Sequence, residues 1–224
     1  MSTATQTTVD SKLAAAQSAE DFGVEHCVLD GVQWETYEQL LSELNERHLF
    51  LTYDNGTLEI MAPSGRHEQG NAFIGRLLEA YADEMDIPTA CFGSVTIKQK
   101  KLLKGLEPDC CYYVKNEPRV AHNTDLDFAV DPPPDLAIEM EVSRRISNRQ
   151  GIYAALGIAE VWLDDGRHLR VLHLQPSGKY KQKDVSLNFP ELPVAEFEKF
   201  LRMRPVKSEH EVVKAFRSWL RKKR

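Results

Sequence analysis

The stretch Pro134-Asp-Leu-Ala-Ile-Glu-Met-Glu-Val142 alternates apolar and polar residues, as a β-strand with one buried face does. The apolar face would carry Leu136, Ile138, Met140 and Val142. The opposite face would carry Asp135, Ala137, Glu139 and Glu141. Successive acids on that face lie about 7 Å apart. The pattern therefore predicts a strand over residues 135–142 that presents Glu139 and Glu141 side by side.

These two acids have two readings that this strand alone leaves open. If their face meets solvent, they are the hydrated side of a sheet. If a helix covers the face, two neighbouring carboxylates are costly unless a cation or a proton lies between them.

A second acid precedes a neighbouring apolar run, in Gly105-Leu-Glu-Pro-Asp109-Cys-Cys-Tyr-Tyr-Val114. Asp109 follows a proline, which is disfavoured inside a sheet, and so marks the start of a strand over residues 109–114. An acid at a strand end can meet the acids of an adjacent strand at the rim of the sheet. Asp109 and Glu139 would then form an oxygen pair suited to Mg²⁺, which needs few protein carboxylates and keeps several waters.

Upstream, the clearest local signal is the turn Asp54-Asn55-Gly56 between two apolar runs. An Asn-Gly pair there predicts a two-residue type I′ hairpin, with Tyr53 opposite Leu58 and Leu51 opposite Ile60. Thr52 and Glu59 fall on its other face. Helical spacing of apolar residues predicts helices over residues 34–48 and 67–84 on either side of the hairpin.

The remaining pattern completes an α/β (α+β) chain. A strand is predicted over residues 92–98. After the 135–142 strand, we expect a short helix over 147–156 closed by Gly157, strands over 159–164, 168–175 and 179–185, and an amphipathic segment over 194–203. Ser208 and Glu211 form a capping box that opens a last helix. This mixture predicts a central mixed β-sheet flanked by helices.

Composition narrows the class of protein. A net charge of −6 and a pI near 5.7 argue against a protein that coats nucleic acid through bulk charge, although local basic patches remain compatible with a nuclease. No apolar stretch is long enough to span a bilayer and no signal pattern opens the chain, so we expect a cytoplasmic protein. The cysteines show no metal-binding spacing and are interpreted as reduced structural thiols: Cys27, Cys91, Cys110 and Cys111.

Together these segments resemble a restriction endonuclease family that is abundant in cyanobacteria and long catalogued as a domain of unknown function, within the PD-(D/E)XK nucleases. The resemblance covers about residues 30–200. The matching stretches are Thr57-Leu-Glu-Ile-Met-Ala-Pro-Ser64 with His67-Glu68, Gly93-Ser-Val-Thr-Ile97 with Gly105-Leu-Glu-Pro-Asp109, Pro133-Pro-Asp-Leu-Ala-Ile-Glu139, and Ile152-Tyr-Ala-Ala-Leu-Gly-Ile-Ala-Glu-Val-Trp162.

The resemblance implies a restriction-endonuclease-like core and a metal-dependent endonuclease that hydrolyses phosphodiester bonds with Mg²⁺ or Mn²⁺. Asp109 and Glu139 match the two metal-binding acids. The lysine expected two residues after Glu139 is replaced by Glu141, and Arg149 stands where a basic residue can come from the following helix. An arginine cannot act as a base, but it can stabilise charge on a phosphate.

Further candidates surround these positions. His67 and Glu68 could orient a water, although capping or packing is the more common role for a residue placed like His67. Glu141 could bind a second ion or accept a proton. The expected contacts to nucleic acid, with DNA favoured over RNA, are Arg144, Arg145 and Lys98.

Two other interpretations of the function stay open. The chain could be a catalytically impaired nuclease-fold protein that acts in nucleic-acid binding or assembly, as the missing lysine and acidic charge suggest. A metal enzyme with a small substrate fits the acids but has no motif of its own.

A homodimer is expected by resemblance to nucleases that cut two strands. The expected organisation is a disordered tail (1–20), one domain (21–204) and a basic C-terminal helix (205–224).

Overall fold

The computed structural model describes residues 25–141, 148–204 and 206–223. The predicted N-terminal tail lies outside these ranges, as do Arg144 and Arg145.

The predicted hairpin is confirmed in both its turn and its register. Strands β2 (Phe50–Asp54) and β3 (Thr57–Ala62) pair antiparallel, with Tyr53 opposite Leu58 and Leu51 opposite Ile60. Asn55 and Gly56 both have positive φ, as the type I′ turn requires. The apolar face packs on the first helix, α1 (Trp34–Glu43), and Thr52 and Glu59 are buried on the other face.

This hairpin belongs to a five-stranded antiparallel sheet with the order β1-β3-β2-β6-β5. Its other strands are β1 (Glu25–Leu29), β5 (Ile97–Gln99) and β6 (Lys104–Leu106). The strand predicted over residues 92–98 is in fact divided, because Gly93 at φ 60° ends β4 (Ala90–Gly93), which pairs in another sheet. A 3-10 turn (Lys100–Leu102) joins β5 to β6.

The second sheet has six strands in the order β11-β10-β9-β8-β7-β4. Its strands after β4 are β7 (Cys110–Tyr113), β8 (Leu136–Met140), β9 (Glu160–Asp164), β10 (Leu169–Leu174) and β11 (Tyr180–Lys183). Strands β8 and β9 are parallel and the other pairs are antiparallel, so this is the mixed sheet that the sequence predicts.

Five further helices in the described ranges surround the sheets. They are α2 (Gly65–Met85), α3 (Glu117–Val120), α4 (Arg149–Leu156), α5 (Val194–Leu201) and α6 (Glu209–Lys223). Gly157 follows α4 at φ 80°, which confirms the predicted C-cap, and Ser208 and Glu211 form the predicted capping box.

The two faces of the mixed sheet pack against different layers. Ile138, Met140 and Trp162 join the core formed with α2, α5 and α6. Ala137, Val161 and Leu163 join the core formed with α4, β5 and β6. Because alternate residues point to opposite faces, Glu139 is directed toward α4 and the hairpin sheet.

None of the helices in the described ranges is long and apolar enough to cross a membrane.

Candidate active site

Asp109 and Glu139 lie next to each other at one rim of the mixed sheet. Cys110 pairs with Ile138 and Cys111 with Ala137, so the same antiparallel register carried one residue further sets Asp109 opposite Glu139. Side chains directly opposite each other in such a pair have Cβ atoms about 4.5–5.5 Å apart. Both residues are buried, at 3% and 2% exposure. The fold therefore brings together two acids that are thirty positions apart in the chain.

Asp109 is held by strand β8 and by helix α2. Its Oδ2 accepts a hydrogen bond from the backbone N–H of Met140 at 2.6 Å and lies 3.0 Å from Nε2 of His67. The side chain of Asn71 donates to the backbone oxygen of Asp109 at 2.7 Å. His67 is 1% exposed, and its own backbone N–H is capped by Ser64 Oγ at 3.3 Å. The first turn of α2 thus places His67 directly on the Asp109 carboxylate.

Glu139 is held from the opposite side by α4. Its Oε1 accepts hydrogen bonds from Nε of Arg149 at 3.1 Å, from Nη2 of Arg149, and from the Tyr153 hydroxyl. Arg149 and Tyr153 are four residues apart, so they share one face of the helix. The orientation of Glu139 is therefore set by two donors that converge on one oxygen.

Arg149 also joins the site to the hairpin sheet. Its Nη1 donates to Thr52 Oγ1 at 2.5 Å, and its Nη2 donates to the backbone oxygen of Glu107 at 2.7 Å. Burial alone lowers the pKa of Arg149, but the negative charge of Glu139 and the hydrogen bonds that Glu139 accepts outweigh it and raise that pKa above its ordinary value. Arg149 is thus a permanent buried cation that bridges the two sheets.

Two nearby groups complete the polar cluster. Burial, reinforced by the Glu139 charge, raises the pKa of Tyr153 well above its ordinary value, so it is a neutral donor. The Glu107 carboxyl accepts from Thr96 Oγ1 at 2.6 Å and from the backbone N–H of Leu51 at 3.1 Å. Burial raises the pKa of Glu107.

Comparison with known proteins identifies the family. A family model described as "Uma2: Putative restriction endonuclease" matches residues 34–218. The chain belongs to the Uma2 family. Membership confirms the resemblance stated from the sequence and places the chain among proteins described as nucleases.

A crystal structure described as "a putative nuclease belonging to DUF820 from Anabaena variabilis ATCC 29413" is similar at 16% identity and a TM-score of 0.43, over 76% of this chain and 90% of that chain. No curated protein matches the chain.

Three of the predicted site residues lie at the edge of the polar cluster around Asp109 and Glu139 or away from it. Glu141, in the position of the expected lysine, is half-buried and forms an ion pair with Arg170 of β10. Glu68 is partly exposed and lies 3.5 Å from Nδ1 of His67. Lys98 on β5 is paired with Glu38 of α1 at 2.9 Å. Arg144 and Arg145 lie outside the described residues, and their roles stay predictions.

Sequence reasoning did not select several members of the cluster. Thr52 was placed on the polar face of the hairpin without a role, and Glu107 and Tyr153 were part of matching motifs only. Burial was the signal that could have identified Thr52, because its side chain has a partner in the fold only if another element packs on the polar face of the hairpin. That covering comes from α4, which begins almost a hundred residues later.

The donor set determines which metal the cluster could hold. In the part of the chain that the structure describes, no group of three or more His, Cys, Asp or Glu side chains is arranged to hold a metal ion. A zinc-type cage of protein ligands is therefore not formed by these residues. Mg²⁺ is commonly bound through one or two carboxylates while it keeps several waters, and the Asp109–Glu139 pair fits that requirement.

A cleft opens at the same rim, on the α2 side of the sheet. Its volume is about 680 Å³, and Met140, whose N–H binds Asp109, forms part of its wall. Its charged lining residues are Arg167, Arg202 and Arg204 together with Asp164 and Asp165. Arg202 is paired with Asp164 at 2.8 Å, whereas the Arg167 side chain is exposed.

Proposed function

We propose that this chain is a Mg²⁺-dependent endonuclease that hydrolyses phosphodiester bonds in nucleic acid, with DNA as the favoured substrate. The proposal is supported by two buried acids: the β7–β8 register, extended by one residue beyond Cys110 and Ile138, puts Asp109 opposite Glu139, and Arg149 donates to Glu139. Two neighbouring buried carboxylates destabilise the folded state unless cations compensate their charge, and Arg149 compensates the charge of Glu139.

The surrounding side chains and one backbone N–H hold the two acids in position. Arg149 and Tyr153 hold Oε1 of Glu139 in place, and His67 with the Met140 N–H holds Oδ2 of Asp109. A divalent ion bound by Asp109 and Glu139 would supply activation of water and neutralisation of charge on the phosphate. Arg149 acts here as a positioning residue, because its guanidinium donates to Glu139, Thr52 and the Glu107 carbonyl.

The cleft on the α2 side offers the exposed Arg167 to a phosphate-bearing substrate. Arginine matches phosphate oxygens with paired N–H donors, and Arg167 is exposed at the cleft. Asp109 and Glu139 do not line this cleft, so a nucleic-acid strand would have to cross the rim of the sheet beside Met140 to bring one phosphate to the acids and a flanking phosphate to Arg167. Arg144 and Arg145 are proposed as further backbone contacts.

We also propose that the enzyme acts in the cytoplasm and that it is a homodimer, because two sites in one assembly can cut both strands of a duplex in a single encounter. Light scattering of the purified chain gives the mass directly, and a monomer at all concentrations would contradict this part of the proposal.

The second candidate is a nuclease-fold protein that binds nucleic acid without cutting it. The observation in its favour is Glu141, which stands in place of the expected lysine and is neutralised by Arg170. In that case the Asp109–Glu139 pair would be retained for structure alone.

The experiment that separates these candidates uses supercoiled plasmid, and single-stranded DNA and RNA in parallel, with Mg²⁺, Mn²⁺ or a chelator. We expect metal-dependent cleavage by the native chain and a loss on the order of 100-fold or more in Asp109→Asn and in Glu139→Gln. Glu46→Gln, which removes an exposed acid after α1, is the matched control. Thermal unfolding of each variant shows that the fold is retained.

Two outcomes would overturn these assignments. Cleavage that persists in both acid variants would remove the site. No cleavage with any metal, together with a mobility shift of the same substrates, would favour the non-cutting candidate.

A further inference from the structure

Two cysteines from neighbouring strands touch each other beside the mixed sheet's edge. Cys91 of β4 lies opposite Tyr112 of β7. Tyr112 and Cys110 are two residues apart on β7 and therefore point to the same face of the sheet, so Cys91 and Cys110 share that face. Their sulfur atoms are 3.4 Å apart. We propose that Cys91 and Cys110 form a peroxide-reactive dithiol that closes to an intrachain disulfide, a redox modification site outside the nuclease cluster.

The two thiols differ in the way that such a reaction requires. Cys91 is exposed, whereas Cys110 is buried. The hydrogen bond from Cys110 lowers the pKa of Cys91 to about 6 despite its partial burial. Cys91 is therefore the accessible thiolate that reacts first, and Cys110 is the thiol that follows.

One acid, Glu79, lies near the pair of cysteines. Tyr112 donates from its hydroxyl to Glu79 of α2 at 3.1 Å, and the Glu79 charge opposes ionisation of Cys91. Glu79 is thus engaged by a neutral phenol. This leaves the Cys110 thiol as the group that stabilises the Cys91 thiolate most strongly.

The chemistry balances with hydrogen peroxide as the oxidant. The Cys91 thiolate attacks one peroxide oxygen, the O–O bond breaks, and hydroxide leaves and takes up a proton to form water. The resulting sulfenic acid carries the transferred oxygen. The Cys110 sulfur then attacks the Cys91 sulfur, the S–O bond breaks, and hydroxide leaves with the Cys110 proton as a second water. Two thiols are oxidised to one disulfide, and one peroxide is reduced to two waters.

Closing the bond requires the end of β4 to move toward β7, because Cys91 lies diagonal to Cys110 and not directly opposite it. The sulfur atoms need to move from 3.4 Å to a bond length of about 2 Å. The pairing of β4 with β7 already shifts register between Cys91 and Gly93, so this end of the edge strand is not locked in a regular ladder. The disulfide would tie that strand end to β7 at the residue that follows Asp109.

The test treats the fully reduced chain with stoichiometric hydrogen peroxide, followed by alkylation under denaturing conditions and peptide mapping. We expect the intact mass to fall by two hydrogen atoms and the Cys91 peptide to be linked to the peptide that contains Cys110. Because that peptide also contains Cys111, Cys111→Ser is needed as a control and should still form the link. Cys27→Ser, the other control, should also form it.

Substitution of either partner should give a different product. In Cys110→Ser, Cys91 should accumulate as a sulfenic acid that dimedone traps, and in Cys91→Ser no disulfide should form. Thermal unfolding of the oxidised native chain should occur at higher temperature than that of the reduced chain, and dithiothreitol should reverse the shift. The proposal is overturned if the native chain accumulates sulfenic or sulfinic acid at Cys91 while Cys110 stays alkylatable, or if its disulfides join separate chains.

Discussion

Arg149 on α4 donates from Nε to Oε1 of Glu139 on β8 across 3.1 Å, and both side chains are buried. Each partner is costly to bury alone, so the pair is stable only as a unit. The Arg149 contacts with Thr52 and with the Glu107 carbonyl extend this unit into the hairpin sheet. A single guanidinium thus orients a proposed metal ligand and forms hydrogen bonds to both sheets.

Replacement of Arg149 by lysine should therefore impair both stability and activity. Lysine keeps the charge but lacks the planar set of donors that reaches Glu139, Thr52 and the Glu107 carbonyl together. We expect a decrease of roughly 2–4 kcal/mol in the free energy of unfolding, measured by denaturant titration. Arg170→Lys is the matched control, because its pair with Glu141 is half-exposed and such pairs contribute ~0–1 kcal/mol. Equal losses in the two variants would contradict this role for Arg149.

His67 should act on activity through the Asp109 carboxylate rather than through helix stability. Removal of its imidazole in His67→Ala should lower activity or metal affinity on the order of tenfold to 100-fold, as loss of a supporting contact to a metal ligand does. The measurement is the cleavage rate over a range of Mg²⁺ concentrations.

Ser64→Ala provides the control for His67, since it removes the cap of the same helix but leaves the imidazole. It should cost about 1 kcal/mol of stability without a change in the metal dependence. If Ser64→Ala shifts the metal dependence as much as His67→Ala does, His67 contributes only to the helix start.

Glu141 is expected to contribute less than its position in the motif suggests. Its carboxylate is paired with Arg170, and both side chains are about one third exposed. Glu141→Gln should change the cleavage rate by no more than about fivefold, because a carboxylate already paired with Arg170 is not needed to bind the ion, and it should change the free energy of unfolding by at most ~1 kcal/mol. A loss as large as that of Glu139→Gln in the same assay would instead make Glu141 a ligand or a proton acceptor.

The parts of the fold that local sequence determines were predictable. The Asn55-Gly56 turn specifies both the hairpin and its register, and apolar spacing locates α2 and β8. Strand β6 was missed because three residues that include a lysine and a glycine give no periodic signal. The division of the strands into two sheets follows from long-range pairing, such as Tyr53 with Gly105, which local pattern does not encode.

The candidate site, like the fold, was predictable only in part. The proximity of Asp109 and Glu139 was a prediction from strand ends and family motifs, and the β7–β8 register supports it. The covering of Glu139 by Arg149 and Tyr153 could not be predicted from local pattern, because it depends on how α4 packs against the sheet. The contact between Cys91 and Cys110 was missed for a related reason, since the irregular pairing of β4 determines it.

Gly105 of β6 is required by the close approach of Tyr37. A Cβ at this position would lie 2.9 Å from Cζ of Tyr37, and that ring is fully buried and stacked on Tyr53 at 4.9 Å, so it cannot move aside. Gly105→Ala should destabilise the chain by roughly 1–3 kcal/mol in denaturant titration. Gly65→Ala, at the start of α2 where a Cβ would meet nothing, should be neutral or slightly stabilising. An unchanged unfolding free energy for Gly105→Ala would show that the hairpin sheet adapts more than this packing implies.

The pH dependence of cysteine alkylation should report the contact between Cys91 and Cys110. The thiolate is the reactive form, so the alkylation rate of Cys91 rises with pH and reaches half its maximum near the pKa of about 6. An ordinary thiol reaches that point near pH ~8.5, as the same cysteine should in the denatured chain. Cys110→Ala removes the hydrogen bond that lowers the Cys91 pKa most, so its midpoint should move upward toward the ordinary value. A midpoint that is the same in the native chain and in Cys110→Ala would mean that the two sulfur atoms are not in contact in solution.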